Sequence, residues 1–197
     1  RMELHKVIRS RLTYVGPATL ILVSLCLLRL QPIARDGQGD YDFVAYATSV
    51  LINLLCLFFV LVHSSSLISS ECATGVIRTV LVRPIRRVDY VLAKYLVGLS
   101  YAGLLLLTAV LSAWTVVVVF GDMTGVSYGG EVLYTHSEMI RAFFWGTAGA
   151  IAPLMATVAY GLFISVLMTK PTTAMSTAIG FQIVLDFVKH PLHITPY

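Results

Sequence analysis

Residues 71–94 read ECATGVIRTVLVRPIRRVDYVLAK, and this stretch organises the rest of the chain. It is basic: Arg78, Arg83, Arg86, Arg87 and Lys94 stand against Glu71 and Asp89. Long apolar runs flank it, residues 43–70 before it and 95–120 after it. Runs of that length read as membrane spans, since crossing ~30 Å of hydrocarbon takes about 20 helical residues. A basic loop between two spans belongs in the cytoplasm, because Lys and Arg resist translocation.

The first half of the loop, Glu71 to Arg83, fits one short helix on the membrane surface. Val76, Ile77, Val80 and Leu81 share a face at helical spacing, with Glu71, Thr74, Arg78 and Thr79 opposite. Ser69 or Ser70 can cap its start, and Glu71 in the first turn suits the positive end of the helix dipole. Pro84 ends it, lacking the N–H and forcing its predecessor out of the helical region. Gly75 is the odd residue, costing about 1 kcal/mol against Ala inside a helix. It is explained if another backbone or a partner surface comes close there. The plainer reading is a solvated juxtamembrane loop that only sets topology.

Glu71, Gly75, Ile77-Arg78, Leu81, Arg83-Pro84, Arg87 and Ala93-Lys94 together resemble the loop between the second and third spans of ABC type-2 transporter permeases. Every element of that pattern is present in order and at the right spacing. In the resembled family this loop forms a coupling helix that docks on a separate ATPase subunit. The resemblance therefore implies an ATPase-coupling set of Glu71, Thr74, Gly75, Arg78, Arg83, Pro84 and Arg87. Glu71 and Arg78 would make polar contacts, Gly75 would allow close approach, and Arg83, Pro84 and Arg87 would fix the loop's exit.

Composition agrees with a polytopic membrane protein. The 197 residues are 57% hydrophobic and only 12% charged, which leaves no separate soluble domain, with a mean hydropathy of +0.84. The net charge of +4 is not a nucleic-acid signature, because the basic residues gather at the expected cytoplasmic ends. Cys26, Cys56 and Cys72 sit in or beside apolar runs at no metal-like spacing, and read as small core residues.

Upstream, residues 1–13 form a basic amphipathic segment with Leu4, Val7, Ile8 and Leu12 on one face. It is expected to lie in the cytoplasmic interface, near anionic head groups. Residues 14–30 make a first span, entered through Gly16-Pro17, with Arg29 snorkelling at its far end. The acidic loop QPIARDGQGDYD is expected outside. The second span carries Asn53, either interhelical glue or part of a substrate path, and His63, structural or functional. Its cluster Ser64, Ser65, Ser66, Ser69 and Ser70 can bond back to helix carbonyls.

Downstream, Gly121 to Glu138 is acidic and expected outside, with Tyr128-Gly129-Gly130 as a turn and an interfacial helix starting within Ser137 to Arg141. The fourth span, 142–168, has Gly146, Ala148, Gly149 and Ala150 for close helix approach and Pro153 for a kink. Thr169-Lys170-Pro171 turns back in the cytoplasm, and 172–188 is a fifth span carrying Gln182 and Asp186. Gln182 joins Asn53 as a candidate lining of a substrate path. Asp186, one turn from Lys189 and His190, is interfacial or an intramembrane functional acid. The expected fold is thus an all-α membrane protein, one transmembrane domain of five spans with an interfacial helix and a coupling helix. The resembled family has six spans, so a sixth is expected beyond Tyr197.

No G-x-x-x-x-G-K-[ST] phosphate loop occurs, so no ATP site is expected on this chain. ATP and Mg would sit on the partner subunit, and the chain itself needs neither cofactor nor metal. Nor do H-E-x-x-H, G-x-S-x-G or a converging polar set occur. The resemblance implies an exporter permease in a bacterial or archaeal plasma membrane, with its N-terminus in the cytoplasm. Its partners would be an ABC ATPase subunit, a second permease copy or paralogue, and membrane lipids, with no nucleic acid. A path lined mainly by Leu, Val, Thr, Ser and Tyr suits a lipid-like or amphipathic substrate better than an ion. Two other readings stay open: a lipid-modifying enzyme using His63, Asp186 or His190, and a membrane anchor that transports nothing.

Overall fold

With no water in a bilayer core to satisfy open backbone, long apolar runs must close their polar groups within helices. The computed structural model describes residues 11–30, 38–76, 86–121, 126–128 and 131–189. For residues 11–13, 38–39, 126–128, 131–133, 186 and 188–189 it describes the backbone alone. Helix α1 (Arg11–Leu30) runs through Pro17 without ending and has Arg29 in its last turn. The expected interfacial helix falls mostly on residues 1–10, outside the described residues.

The second run is one long helical passage in pieces. Helix α2 (Gln38–Val50) passes into a π-helical turn (Leu51–Cys56), then α3 (Leu57–Ser66) and the short α4 (Ser69–Ala73). The Leu57 N–H donates to the Ile52 carbonyl, the wider i→i−5 closure of a π turn. Between α3 and α4 the serine cluster explains the break. Ser64, Ser65, Ser66 and Ser69 hydroxyls donate to the carbonyls of Leu61, Val62, His63 and Ser65, as expected from their type. The Ser64 carbonyl also takes the Leu67 N–H at 3.3 Å. The N–H groups of Ile68 and Ser69 turn instead to the Ser165 hydroxyl oxygen, at 3.0 and 2.9 Å.

Helix α5 (Arg87–Phe120) has 34 residues and is about 51 Å long, more than a bilayer core requires. A small hairpin follows, strands β1 (Val126–Tyr128) and β2 (Glu131–Tyr134), paired antiparallel with Tyr128 opposite Glu131. The expected turn Tyr128-Gly129-Gly130 falls between these strands, its two glycines outside the described residues, and the strands are an element absent from the all-α reading. Val126, Tyr128, Val132 and Tyr134 alternate about a Gly-Gly pair, the pattern that favours such a ladder.

Helices α6 (His136–Gly149) and α7 (Ile151–Leu167) part at Ala150, three residues before Pro153. Proline cannot donate to the Gly149 carbonyl, so the interruption falls where a kink was expected. The start of α6 is a capping box, T-H-S-E: the Thr135 N–H donates to the Glu138 carboxylate at 2.9 Å. Helix α8 (Pro171–Lys189) closes the described chain.

Among the described residues three helices are long and apolar enough to cross a membrane: Asp40–Ala73, Arg87–Phe120 and His136–Leu167. Tyr14–Leu30 is a shorter apolar helix. The chain clusters into two compact units, one of Arg1–Leu57 with Tyr101–Leu154, the other of Phe58–Ser100 with Met155–Tyr197. The first has a core of Leu27, Phe43, Val44, Ala47, Ala113, Val116 and Val117, flanked by Trp114 and Phe143. In the second, Leu61 and Ile164 pack with Ala174 and Ala178 of α8.

Candidate functional site

The basic segment leaves α4 sooner than its periodicity predicts. Gly75 lies at φ 73°, the left-handed conformation that ends helices, so it is not an interior residue of one helix from Glu71 to Arg83. A β-carbon placed at Gly75 would meet nothing within 4 Å among the described residues, so no neighbour among them requires the glycine. Conformation does. Thr74 is exposed, its hydroxyl donating to the Ser70 carbonyl at 3.0 Å. Residues 77–85 lie outside the described residues, and with them Arg78, Arg83 and Pro84. The chain returns at Arg86 and Arg87, both exposed, where α5 begins.

What brackets this segment is a polar clamp. The Lys94 ammonium donates to Glu71 Oε1 at 2.6 Å, and the Tyr90 hydroxyl donates to Glu71 Oε2. Tyr90 and Lys94 are one turn apart on α5, and the ammonium lies 5.7 Å from the Tyr90 ring centre. Lys94 is only 2% exposed. A buried charge persists where a partner and hydrogen bonds offset its desolvation, and the carboxylate supplies both. Glu71, expected to make polar contacts, makes them within its own chain and holds the two ends of the loop together.

Asn53 sits in the π turn. It is exposed, and its amide nitrogen donates to the Ser49 carbonyl at 3.0 Å. With Thr48, Ile52, Phe143, Thr147 and Ala150 it lines a cavity of about 350 Å³ in the first unit. The buried hydroxyl oxygens of Thr48 and Thr147, both on that lining, have no hydrogen-bond partner among the described residues. Gly146 and Gly149 line it too, and a side chain at either would meet nothing within 4 Å among those residues. They open space there, where close helix approach was expected. Gln182 lies half-buried on α8, in the other unit. His63 is buried within α3, and the side chain of Asp186 and all of His190 lie outside the described residues. Among the described residues no group of His, Cys, Asp or Glu could hold a metal.

Lys94 stood in the sequence pattern without an assigned role, and Tyr90 and Thr147 were missed. A Tyr four residues before a Lys on a helix is a common spacing, and nothing local says that both face Glu71. In the first unit, the Tyr41 hydroxyl is hydrogen-bonded to His136 Nδ1, joining the start of α2 to that of α6.

A family model described as ABC-2 family transporter protein matches residues 1–187 of the chain. Comparison with curated proteins and with solved structures gives no match.

Proposed function

The chain belongs to the ABC-2 transporter family, an integral membrane permease component, and from that premise we propose that it is the membrane-spanning subunit of an exporter. The family implies an ABC ATPase partner in general. In this reading the permease pairs with a second copy or a paralogue and binds two ATPase subunits, which carry ATP and Mg. It has five spans in the present chain, a cytoplasmic N-terminus, and a coupling segment at residues 71–94. Closure of the ATPases pushes that segment, and the spans switch a central path from inward to outward access.

The observation that carries this reading is the Glu71–Lys94 clamp with its Tyr90 bond. A docking segment transmits force only if both of its ends are tied to the spans. The clamp joins the end of one long helix to the start of the next. Glu71 then acts by positioning the segment, while Thr74, Gly75 and Arg78 meet the ATPase and Arg83, Pro84 and Arg87 set its exit. Asn53 in its cavity, and Gln182, line the substrate path. A wall of Thr, Asn, Phe and small residues suits a lipid-like or amphipathic substrate.

Arg78→Glu should weaken assembly with the ATPase while leaving membrane insertion intact. The tagged full-length chain is pulled down from mild detergent, the copurified ATPase quantified, and transport measured in proteoliposomes. Normal copurification with normal transport would overturn the coupling role.

A further inference from the structure

In the second unit, α5 and α7 leave a groove of about 570 Å³ lined by apolar side chains, among them Val91, Leu92, Leu162, Phe163 and Val166. Arg87 is its one charged lining residue among those described, and stands at the end where α5 begins. Tyr95 lies eight residues further, its hydroxyl donating to the Met155 carbonyl at 3.5 Å. From Arg87 to Tyr95 is about 12 Å along the helix, within the ~15 Å of one leaflet's hydrocarbon.

Charge at the rim and hydrocarbon below are the two halves of a phospholipid. Arg86 and Arg87 also stand at the positive end of the α5 dipole, an arrangement that disfavours cations and that Asp89 in the first turn offsets only in part. A phosphate there relieves it, and a guanidinium binds phosphate with two parallel hydrogen bonds.

We propose that this groove binds an anionic phospholipid of the cytoplasmic leaflet, its phosphate on Arg87 and one acyl chain along Val91, Leu92, Phe163 and Val166. This rests on the cytoplasmic placement of residues 71–94 and deepens it. Arg87 fixes the exit of the coupling segment by tying the start of α5 to a headgroup.

The test is native mass spectrometry of the detergent-purified permease with its copurified ATPase, after incubation with phosphatidylglycerol or with phosphatidylcholine. Wild type should retain phosphatidylglycerol over phosphatidylcholine by about tenfold, the worth of one charge-assisted contact. Arg87→Gln should abolish that preference, and Ala159→Trp, which fills the groove from another of its lining positions, should abolish retention of both lipids. If the tryptophan variant is not monodisperse, Phe163→Ser is expected to lower retention of both. Equal retention of the two lipids by wild type, or a preference unchanged by Arg87→Gln, overturns the proposal. So does a disulfide between two copies carrying Leu92→Cys, which would put a second chain in the groove. ATPase copurification is scored in the same samples. Its loss together with a retained lipid preference would overturn the coupling reading and leave the lipid site standing.

Discussion

A lysine only 2% exposed beside a carboxylate is the most consequential residue pair in the chain. Neither side chain could be held there alone, because an unpaired charge in a low-dielectric setting costs several kcal/mol. Lys94→Met should therefore lower stability by about 3–5 kcal/mol, since it strands the Glu71 carboxylate. Combining it with Glu71→Gln should recover more than half of that loss, because no charge then remains buried. Thermal unfolding of the detergent-solubilised chain and its variants measures both. Losses that simply add would show that the two residues act independently. At this scale the sequence was legible in type but not in partnership. Glu71 was singled out and Lys94 belonged to the same pattern. Their contact across 23 positions needed two helix axes to meet. At Gly75 the converse holds, since a left-handed backbone at the end of α4 is a local property that glycine permits.

The elements carry their irregularities where polar groups interrupt apolar runs. Two backbone N–H groups freed between α3 and α4 are accepted by one fully buried hydroxyl, that of Ser165 on α7. Ser165→Ala should cost about 1–3 kcal/mol, the penalty of a buried donor left unsatisfied. Faster amide hydrogen exchange at Ile68 and Ser69, measured against exchange elsewhere in α3, checks it. Unchanged protection there would mean that α3 and α4 close into one regular helix without the serine. The serine back-bonds were readable in advance, because a hydroxyl three or four residues after a carbonyl reaches it in any helix. The π turn at Leu51–Cys56 was not readable: its six residues, LINLLC, are ordinary helix formers, and the extra width depends on what surrounds them. The capping box before α6 and the alternating hairpin strands are both legible in local sequence, beneath stronger apolar signals.

For the whole molecule, the long helices set the reach across a bilayer. The coupling reading places residues 71–94 inside and the hairpin end outside. Thr74 and Thr135 are both exposed and mark those two ends. In intact cells, Thr135→Cys should react with a membrane-impermeant thiol reagent, whereas Thr74→Cys should react only after the membrane is opened. The native cysteines, of which Cys26 is exposed, are replaced by Ala for this measurement. Labelling of both positions from the same side would overturn the proposed topology, and with it the cytoplasmic leaflet assigned to the lipid groove.

The amino-acid sequence alone determined that this chain lives in a membrane, where its apolar runs lie, and which loop is basic. Those properties are sums over neighbouring residues, and the bilayer reads them locally. The same held for the serine back-bonds and the proline break. Only the tertiary structure decided that Lys94 meets Glu71, that Ser165 accepts two N–H groups from another helix, and that Arg87 overlooks an apolar groove. Each of these depends on which faces of separate helices come together. That choice is made by packing across many residues, and no single stretch of sequence contains it.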